Sequence, residues 1–316
     1  MKRRVLGLLF LFLAVFVWGI SFVSTKVILA EEIPPVSIAF FRQFVALVPL
    51  LLCMGIRKEG FRLEKGDLKL FALASFFGIV LYFVFENTGL TMTTASNASM
   101  LVAAIPVFTL IIESIITRKP ISKAALGCIL ASLAGVYCII SENGTIDLSG
   151  STFLGNLLIL GAMASWIIYT FLSNGLGERY SSLKLTTVQT LLSIPLFVPF
   201  TVPEVSAWKV PSVTALLHLV FLGVFCSALA YVFFLYSIQA LGPVLPSAAL
   251  NLIPVITIIT GRIVLSEDLT WLQAVGAALI VGRPDPVEPD EAEGTDTIEL
   301  SANWPPIGEA VPWYLR

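Results

Sequence analysis

Long apolar runs separated by short polar punctuation dominate this chain. They lie near residues 5–29, 36–56, 68–90, 96–117, 121–141, 153–175, 185–203, 212–237, 245–265 and 270–282. All but the last approach or exceed the ~20 residues that a helix needs to cross a hydrocarbon layer roughly 30 Å thick. None alternates apolar and polar residues over about ten positions, as a membrane β-strand does. The pattern predicts ten transmembrane helices, with the tenth apparently truncated. Lys2, Arg3 and Arg4 before the first run resemble the start of a signal peptide. The apolar core is too long for one, and no small-x-small cleavage site follows Phe22 closely, so this run is expected to be the first helix.

The pattern also repeats. Trp18 and Trp166 are 148 residues apart, as are Pro106 and Pro254. IPVFTLIIESIITRKPISKAALG in the first half runs parallel to IPVITIITGRIVLSEDLTWLQAVG in the second. The chain therefore divides into a five-helix repeat over 1–141, a second over 142–282, and a remainder over 283–316. A duplicated helical bundle most often builds a transport pathway between its halves.

Composition agrees with membrane helices. Of 316 residues 57% are hydrophobic and 13% charged, and the mean hydropathy is +0.92. A soluble protein could not cover that much apolar surface. The four cysteines, Cys53, Cys128, Cys138 and Cys226, all fall inside predicted spans, where a packing role is the ordinary one.

Basic residues set the orientation. With the N-terminus inside, thirteen of them lie on the inner side: Lys2, Arg3, Arg4, Arg57, Lys58, Arg62, Lys65, Lys69, Arg118, Lys119, Lys123, Arg179 and Lys184. The outer loops hold Lys209, with Lys26 and Arg262 inside helices near their outer ends. The positive-inside rule then places the N-terminus in the cytoplasm and the protein in the inner, cytoplasmic membrane. Five helices per half start the second half on the opposite side. The repeats are thus expected to be inverted, related by an axis in the membrane plane.

The chain resembles the drug/metabolite transporter superfamily, specifically its EamA-type members, over about residues 7–282. The resemblance rests on Trp18 in WGISFVSTK, the FFR of the second helix and Pro106 in AAIPVFTLI. In the second half it rests on Pro254 in LNLIPVITII and the following SEDLTWLQAVGAALI. No single motif is specific, but their order and spacing together are. The resemblance implies ten helices in two five-helix repeats, with the cavity lined by helices near the repeat interface and the fifth and tenth at the back. It implies transport of small metabolites such as amino acids, sugars, nucleotide sugars or drugs, and says little about which. Two departures stand out. RKPIS at 118–122 replaces the acidic turn that the second half keeps as SEDLT. By the 148-residue offset, RPDPVEP at 283–289 stands where Gly135–Ser141 would be matched. With six prolines and eight acids, 283–316 does not continue a membrane helix. It reads as a disordered cytoplasmic tail or as a foreign or frame-shifted replacement of the native end of the tenth helix.

Charged residues inside spans are costly and therefore candidates for function. Arg42 lies about six residues below the outer end of the second helix, and Glu86 about four below the outer end of the third, so both sit roughly 6–9 Å deep. Their matched depth permits an ion pair that joins helices, with Lys26 as an alternative partner. It equally permits recognition of a charged or zwitterionic substrate, or a Glu86 that couples transport to protons. Trp18 and Trp166 fall at mid-depth, where they either pack or wall a central cavity with Tyr82 and Tyr231. Pro106 and Pro254 are expected to interrupt the fourth and ninth helices near the midplane. Asn97 and Asn251 precede them and are placed to bond neighbouring helices or meet substrate. Glu113, Arg262 and the lone His218 read as interfacial or packing residues.

The resulting expectation is a secondary transporter, an exporter or exchanger, that binds its substrate at a midplane cavity and exposes it alternately to the two sides. Its partners are a small-molecule substrate and the lipid bilayer, with protons a candidate coupling ion. No metal-ligand spacing, phosphate loop or catalytic triad is visible, so neither cofactor, nucleic acid nor enzymatic chemistry is expected. A channel, a lipid-modifying enzyme and a structural membrane partner remain the alternative readings.

Overall fold

The computed structural model describes residues 2–64, 66–105, 107, 108, 111, 114, 123–140, 150–241, 246 and 249–281, which all belong to one unit, Met1–Arg283. Pro106, Glu113, the 118–122 turn and the 283–316 segment lie outside the described residues. The described residues are helical, with no strand among them. In chain order the helices are α1 (Lys2–Leu29), α2 (Pro35–Arg57), α3 (Asp67–Leu90), α4 (Ala95–Val102), α5 (Lys123–Ile140), α6 (Ser151–Gly177), α7 (Ser182–Thr201), α8 (Val213–Leu241), α9 (Leu250–Val264) and α10 (Trp271–Val281). Six of them, α1, α2, α3, α6, α7 and α8, are long and apolar enough to cross a membrane, and α5, α9 and α10 are shorter apolar helices.

The bundle has an apolar core that also holds polar groups, and an outer surface rich in exposed large apolar side chains. On α2, Ser37, Arg42 and Gln43 are buried, while Val48, Leu51, Leu52 and Ile56 point outward. Polar groups turn to the bundle because hydrocarbon offers them no partner, whereas apolar side chains lose nothing by facing lipid. The fold is therefore a multi-pass membrane bundle.

Helix pairing follows one rule. α1 packs on α8 and α9, and α6 packs on α3 and α4; α2 packs on α7 and α8, and α7 on α2 and α3. Exchanging each helix for the one five places on reproduces this set. The self-matched pairs α2–α7, α4–α9 and α5–α10 are packed together too. α5 and α10 cross at Gly135 and Gly276, where a Cβ on either would lie 2.7 Å from the other's carbonyl oxygen. Only glycine permits backbones that close.

Side-chain bonds across the helix ends make several of these pairs antiparallel. At one end of the bundle, Glu204 after α7 accepts bonds from Val36 N (3.1 Å), Ser37 N (2.7 Å) and Ser37 Oγ (2.7 Å) at the start of α2. Glu267 after α9 does the same at the start of α4, accepting from Ala95 N (2.9 Å), Ser96 N (3.0 Å) and Ser96 Oγ (2.6 Å). Glu31 after α1 accepts from Ser212 N and Oγ at the start of α8. Each carboxylate satisfies orphan amides of a first helical turn and complements its positive end. At the other end, Glu59 after α2 accepts from Ser181 Oγ (2.5 Å), the N-cap of α7. There Asp67 accepts from Arg179 Nη1 and Tyr180 Oη, both at 2.7 Å. Tyr180 lies outside the apolar spans, and burial, with the Asp67 carboxylate adding to it, holds its phenol above the ordinary range. It therefore stays a donor to Asp67 at neutral pH.

Two matched helices share a local irregularity. α3 widens into a π turn over Phe76–Leu81, just before Tyr82, and α8 widens over Leu222–Leu229, just before Tyr231. Such turns release carbonyls from the α-helical ladder and often mark functional sites.

Candidate functional site

The π turns feed directly into a buried aromatic cluster. Gly78 O in the first accepts from Tyr231 Oη at 3.1 Å, and Cys226 O in the second accepts from Trp18 Nε1 at 3.0 Å. Each released carbonyl is thus bonded by an aromatic side chain from the other half of the chain. Trp18 of α1 meets Tyr231 of α8 with ring centroids 5.6 Å apart, and Trp166 of α6 meets Tyr82 of α3 at 5.3 Å. The two tryptophans meet edge to face at 5.5 Å. At Gly78, any Cβ would fall 2.1 Å from the Tyr169 ring, so glycine is what admits that ring to the cluster.

Trp18, Tyr82, Trp166 and Tyr231 wall a small cavity of ≈ 30 Å³, closed further by Ser21, Phe22, Phe83, Val102 and Ile105, and by Leu250 and Ile253 of α9. Arg42 and Glu86 also line it. Arg42 is buried to 2% exposure. Its Nε donates to Ser227 Oγ at 2.8 Å, Nη2 donates to Leu222 O at 3.3 Å, and the guanidinium stands 4.2 Å from the Phe83 ring centroid. Glu86, 5% exposed, accepts from Tyr82 Oη at 3.1 Å.

The ion pair expected between Arg42 and Glu86 is not formed. Ion pairs among the described residues join Arg179 with Glu64 and Asp67, Lys209 with Glu32, and Arg262 with Asp268, and none of these involves Arg42 or Glu86. The α8 π turn holds the guanidinium instead, its Leu222 carbonyl and Ser227 hydroxyl taking two of the five N–H donors. Lys26 is not the partner either, since its Nζ donates to Leu90 O at 2.8 Å. Two opposite buried charges therefore face one cavity, each held by neutral groups.

Six of the eight substrate candidates come together here: Trp18, Arg42, Tyr82, Glu86, Trp166 and Tyr231. Asn97 and Asn251 are not among the lining residues. Asn97 Oδ1 accepts from Gln273 Nε2 of α10 at 2.8 Å, tying α4 to α10. Asn251 sits in a 3₁₀ turn over Leu250–Leu252, with Oδ1 buried and unpartnered. Pro254 occupies the first turn of the α-helical stretch Ile253–Val264 that follows. Proline fits there because a first-turn amide needs no intrahelical partner. The 3₁₀ turn before it is itself preceded by helical residues at 246 and 249, so Pro254 follows directly on an irregular turn in the ninth run. His218 is half-buried on α8, and Arg262 is exposed and paired with Asp268. Sequence reasoning missed Phe83, Ser227 and the π turns. The signal present was the aromatic-x-Gly pattern shared by FFGIV at 76–80 and FLGVF at 221–225. No group of His, Cys, Asp or Glu among the described residues is placed to hold a metal.

Comparison with known proteins adds the family context. The model of the EamA-like transporter family matches residues 5–141 and again 153–282. An uncharacterized transporter of Archaeoglobus fulgidus is 29% identical over 282 residues, covering 86% of this chain and 94% of its own. An uncharacterized transporter of Bacillus subtilis is 25% identical over 268 residues, 84% of this chain and 81% of its own. A probable terminal-alkyne amino-acid exporter of Streptantibioticus cattleyicolor is 25% identical over 272 residues, 85% and 89% respectively. One solved crystal structure superposes with a TM-score of 0.64 at 17% identity, covering 89% of this chain and 96% of its own, a likeness of fold.

Proposed function

The chain belongs to the EamA-like transporter family, and from that premise we propose that it is a secondary transporter of small metabolites such as amino acids. It exports or exchanges them by alternating access at the Trp18–Trp166 cavity. The observation that carries the reading is the pair of buried, mutually unpaired charges on that cavity's wall. A buried charge without a counter-ion is costly. A zwitterion would supply both partners, its carboxylate to Arg42 and its ammonium to Glu86. Tyr82, Trp18 and Trp166 would present aromatic surface, which attracts ammonium groups. The relative named as a probable amino-acid exporter lends this class further support.

The double family match and the exchange rule in helix pairing support a ten-helix, inverted-repeat architecture with halves at 1–141 and 142–282. The antiparallel end bonds of α2 with α7 support the same symmetry. Rocking of these halves about the cavity alternates its exposure. The thirteen basic residues on one side support an inner-membrane protein with a cytoplasmic N-terminus. The sequence has no nucleotide-binding motif, so gradients or exchange supply the energy, with protons a candidate.

The test is reconstitution into liposomes with a panel of labelled amino acids and other small metabolites, with and without a pH gradient. Saturable uptake that shows counterflow supports a carrier. Non-saturating flux would point to a channel, and no flux with any member of a broad panel would sink the transport reading.

A further inference from the structure

Between the cavity and the Asp67 end of the bundle lie buried polar groups on α6 and α7 whose hydrogen-bonding capacity is not fully used. Tyr169 of α6 stands 5.0 Å from Trp166 and 6.1 Å from Tyr231, ring centroid to centroid. One turn further along α6 is Ser173, whose Oγ accepts from Gln189 Nε2 of α7 at 3.2 Å. Thr190 follows Gln189. Beyond these lies the Arg179–Asp67–Tyr180 bonding that closes this end. Tyr169, Gln189 and Thr190 are at most 1% exposed. Yet Tyr169 Oη, Gln189 Oε1 and Thr190 Oγ1 have no well-formed hydrogen bond among the described residues. Tyr169 Oη faces Ser173 without completing one.

A buried polar atom without a partner raises the energy of the state that holds it, and apolar groups of the same shape would pack at least as well. Three such atoms close together in sequence on two neighbouring helices point to a second state in which they are satisfied. The repeat points to that state. The 148-residue offset of Trp18 and Trp166 places Tyr169 opposite Ser21, which already lines the cavity. Gln43 and Pro49 on α2 are matched by Gln189 and Pro195 on α7. If the halves exchange conformations, Tyr169 takes the wall position that Ser21 holds here.

We propose that Tyr169, Ser173, Gln189 and Thr190 form a second polar station for the substrate, exposed when the Asp67 end of the bundle opens. This rests on the transport reading. The station offers hydroxyls and an amide oxygen but no charge. It suits the ammonium, hydroxyl or carboxylate of a small polar metabolite, together with water. It holds such a group less tightly than Arg42 and Glu86 do, as a site that must release its ligand requires.

The test uses the full chain without its native cysteines, carrying Thr190→Cys or Ser173→Cys, and a membrane-impermeant maleimide. Labelling should come only from the side that bears residues 178–184. Adding Arg179→Ala, which removes the Asp67 contact, should speed it about tenfold, equivalent to ~1.4 kcal/mol lost from the closed state. No labelling with Arg179→Ala present, or labelling from the Glu204 side, would overturn the proposal. Thr190→Val and Gln189→Leu provide an independent reading. Both should lower flux of the labelled amino-acid panel, and Thr190→Val, which breaks no side-chain bond, should also raise the melting temperature. A lower melting temperature for Thr190→Val would make that hydroxyl structural, and unchanged flux in both would remove them from the pathway; either result refutes the station. Labelling and melting need no substrate, so an inactive panel would count against the transport reading alone.

Discussion

Arg42 is held by geometry that only a guanidinium can satisfy. Its planar fork donates to Ser227 and Leu222 O while its face lies over Phe83. A lysine has a point charge and cannot do all three at once. Arg42→Lys is therefore expected to lower stability by about 1.5–3 kcal/mol for each charge-assisted bond lost, read as a lower melting temperature, and to weaken substrate affinity. Retained stability and affinity in Arg42→Lys would show that charge alone suffices. Glu86 differs, because its bond to Tyr82 needs only an acceptor. Glu86→Gln keeps that acceptor, so it should fold normally and lose substrate binding by about tenfold or more, since the ammonium partner's charge is gone. Binding measured by calorimetry at wild-type strength would remove Glu86 from the site. Both residues were legible in the sequence as charges inside apolar spans. Their lack of contact was not, because the guanidinium's partners come from Leu222 and Ser227, about 180 positions away.

The helices are individually ordinary and are locked by their ends and by a few glycines. Gly78 admits Tyr169 to the aromatic cluster. Gly78→Ala should displace that ring at a cost of about 1–3 kcal/mol, whereas Gly60→Ala, with nothing within 4 Å, should cost far less. Equal melting temperatures for the two variants would refute the packing argument. Glu204 and Glu267 each satisfy two backbone amides and a serine hydroxyl of a distant helix. Losing such a cap costs on the order of 0.5–2 kcal/mol. Glu204→Ala should therefore favour opening at that end, read as faster modification of Ser21→Cys by an impermeant thiol reagent. Unchanged modification would show that the contact does not govern access. SEDLT was visible as an acidic turn, but its target, the start of α4, lies about 170 residues earlier.

At the scale of the whole molecule, side-chain bonds join the ends of α1 with α8, α2 with α7, and α3 with α6. Lys58 and Lys209 are exposed at opposite ends of the bundle. Single cysteines at these two positions should react with an impermeant reagent from opposite sides of the membrane, Lys58→Cys from within and Lys209→Cys from without. Reaction of both from one side would sink the orientation and with it the inverted arrangement.

The apolar runs determined the helices, because hydrocarbon leaves a chain no other local way to satisfy its backbone amides. The spans near 5–29, 36–56, 68–90 and 153–175 match α1, α2, α3 and α6 within three residues at every end. The 148-residue repeat likewise singles out Trp18 and Trp166 from the sequence alone. Hydropathy says which residues enter the membrane, but not which face of a helix meets which neighbour. Only the tertiary structure could put Ser227 against Arg42, Tyr231 against Gly78 and Glu204 against Ser37. It also left Tyr169 Oη, Gln189 Oε1 and Thr190 Oγ1 without a bonding partner among the described residues. Those outcomes depend on how two distant helices pack, and no local pattern in either one encodes its partner.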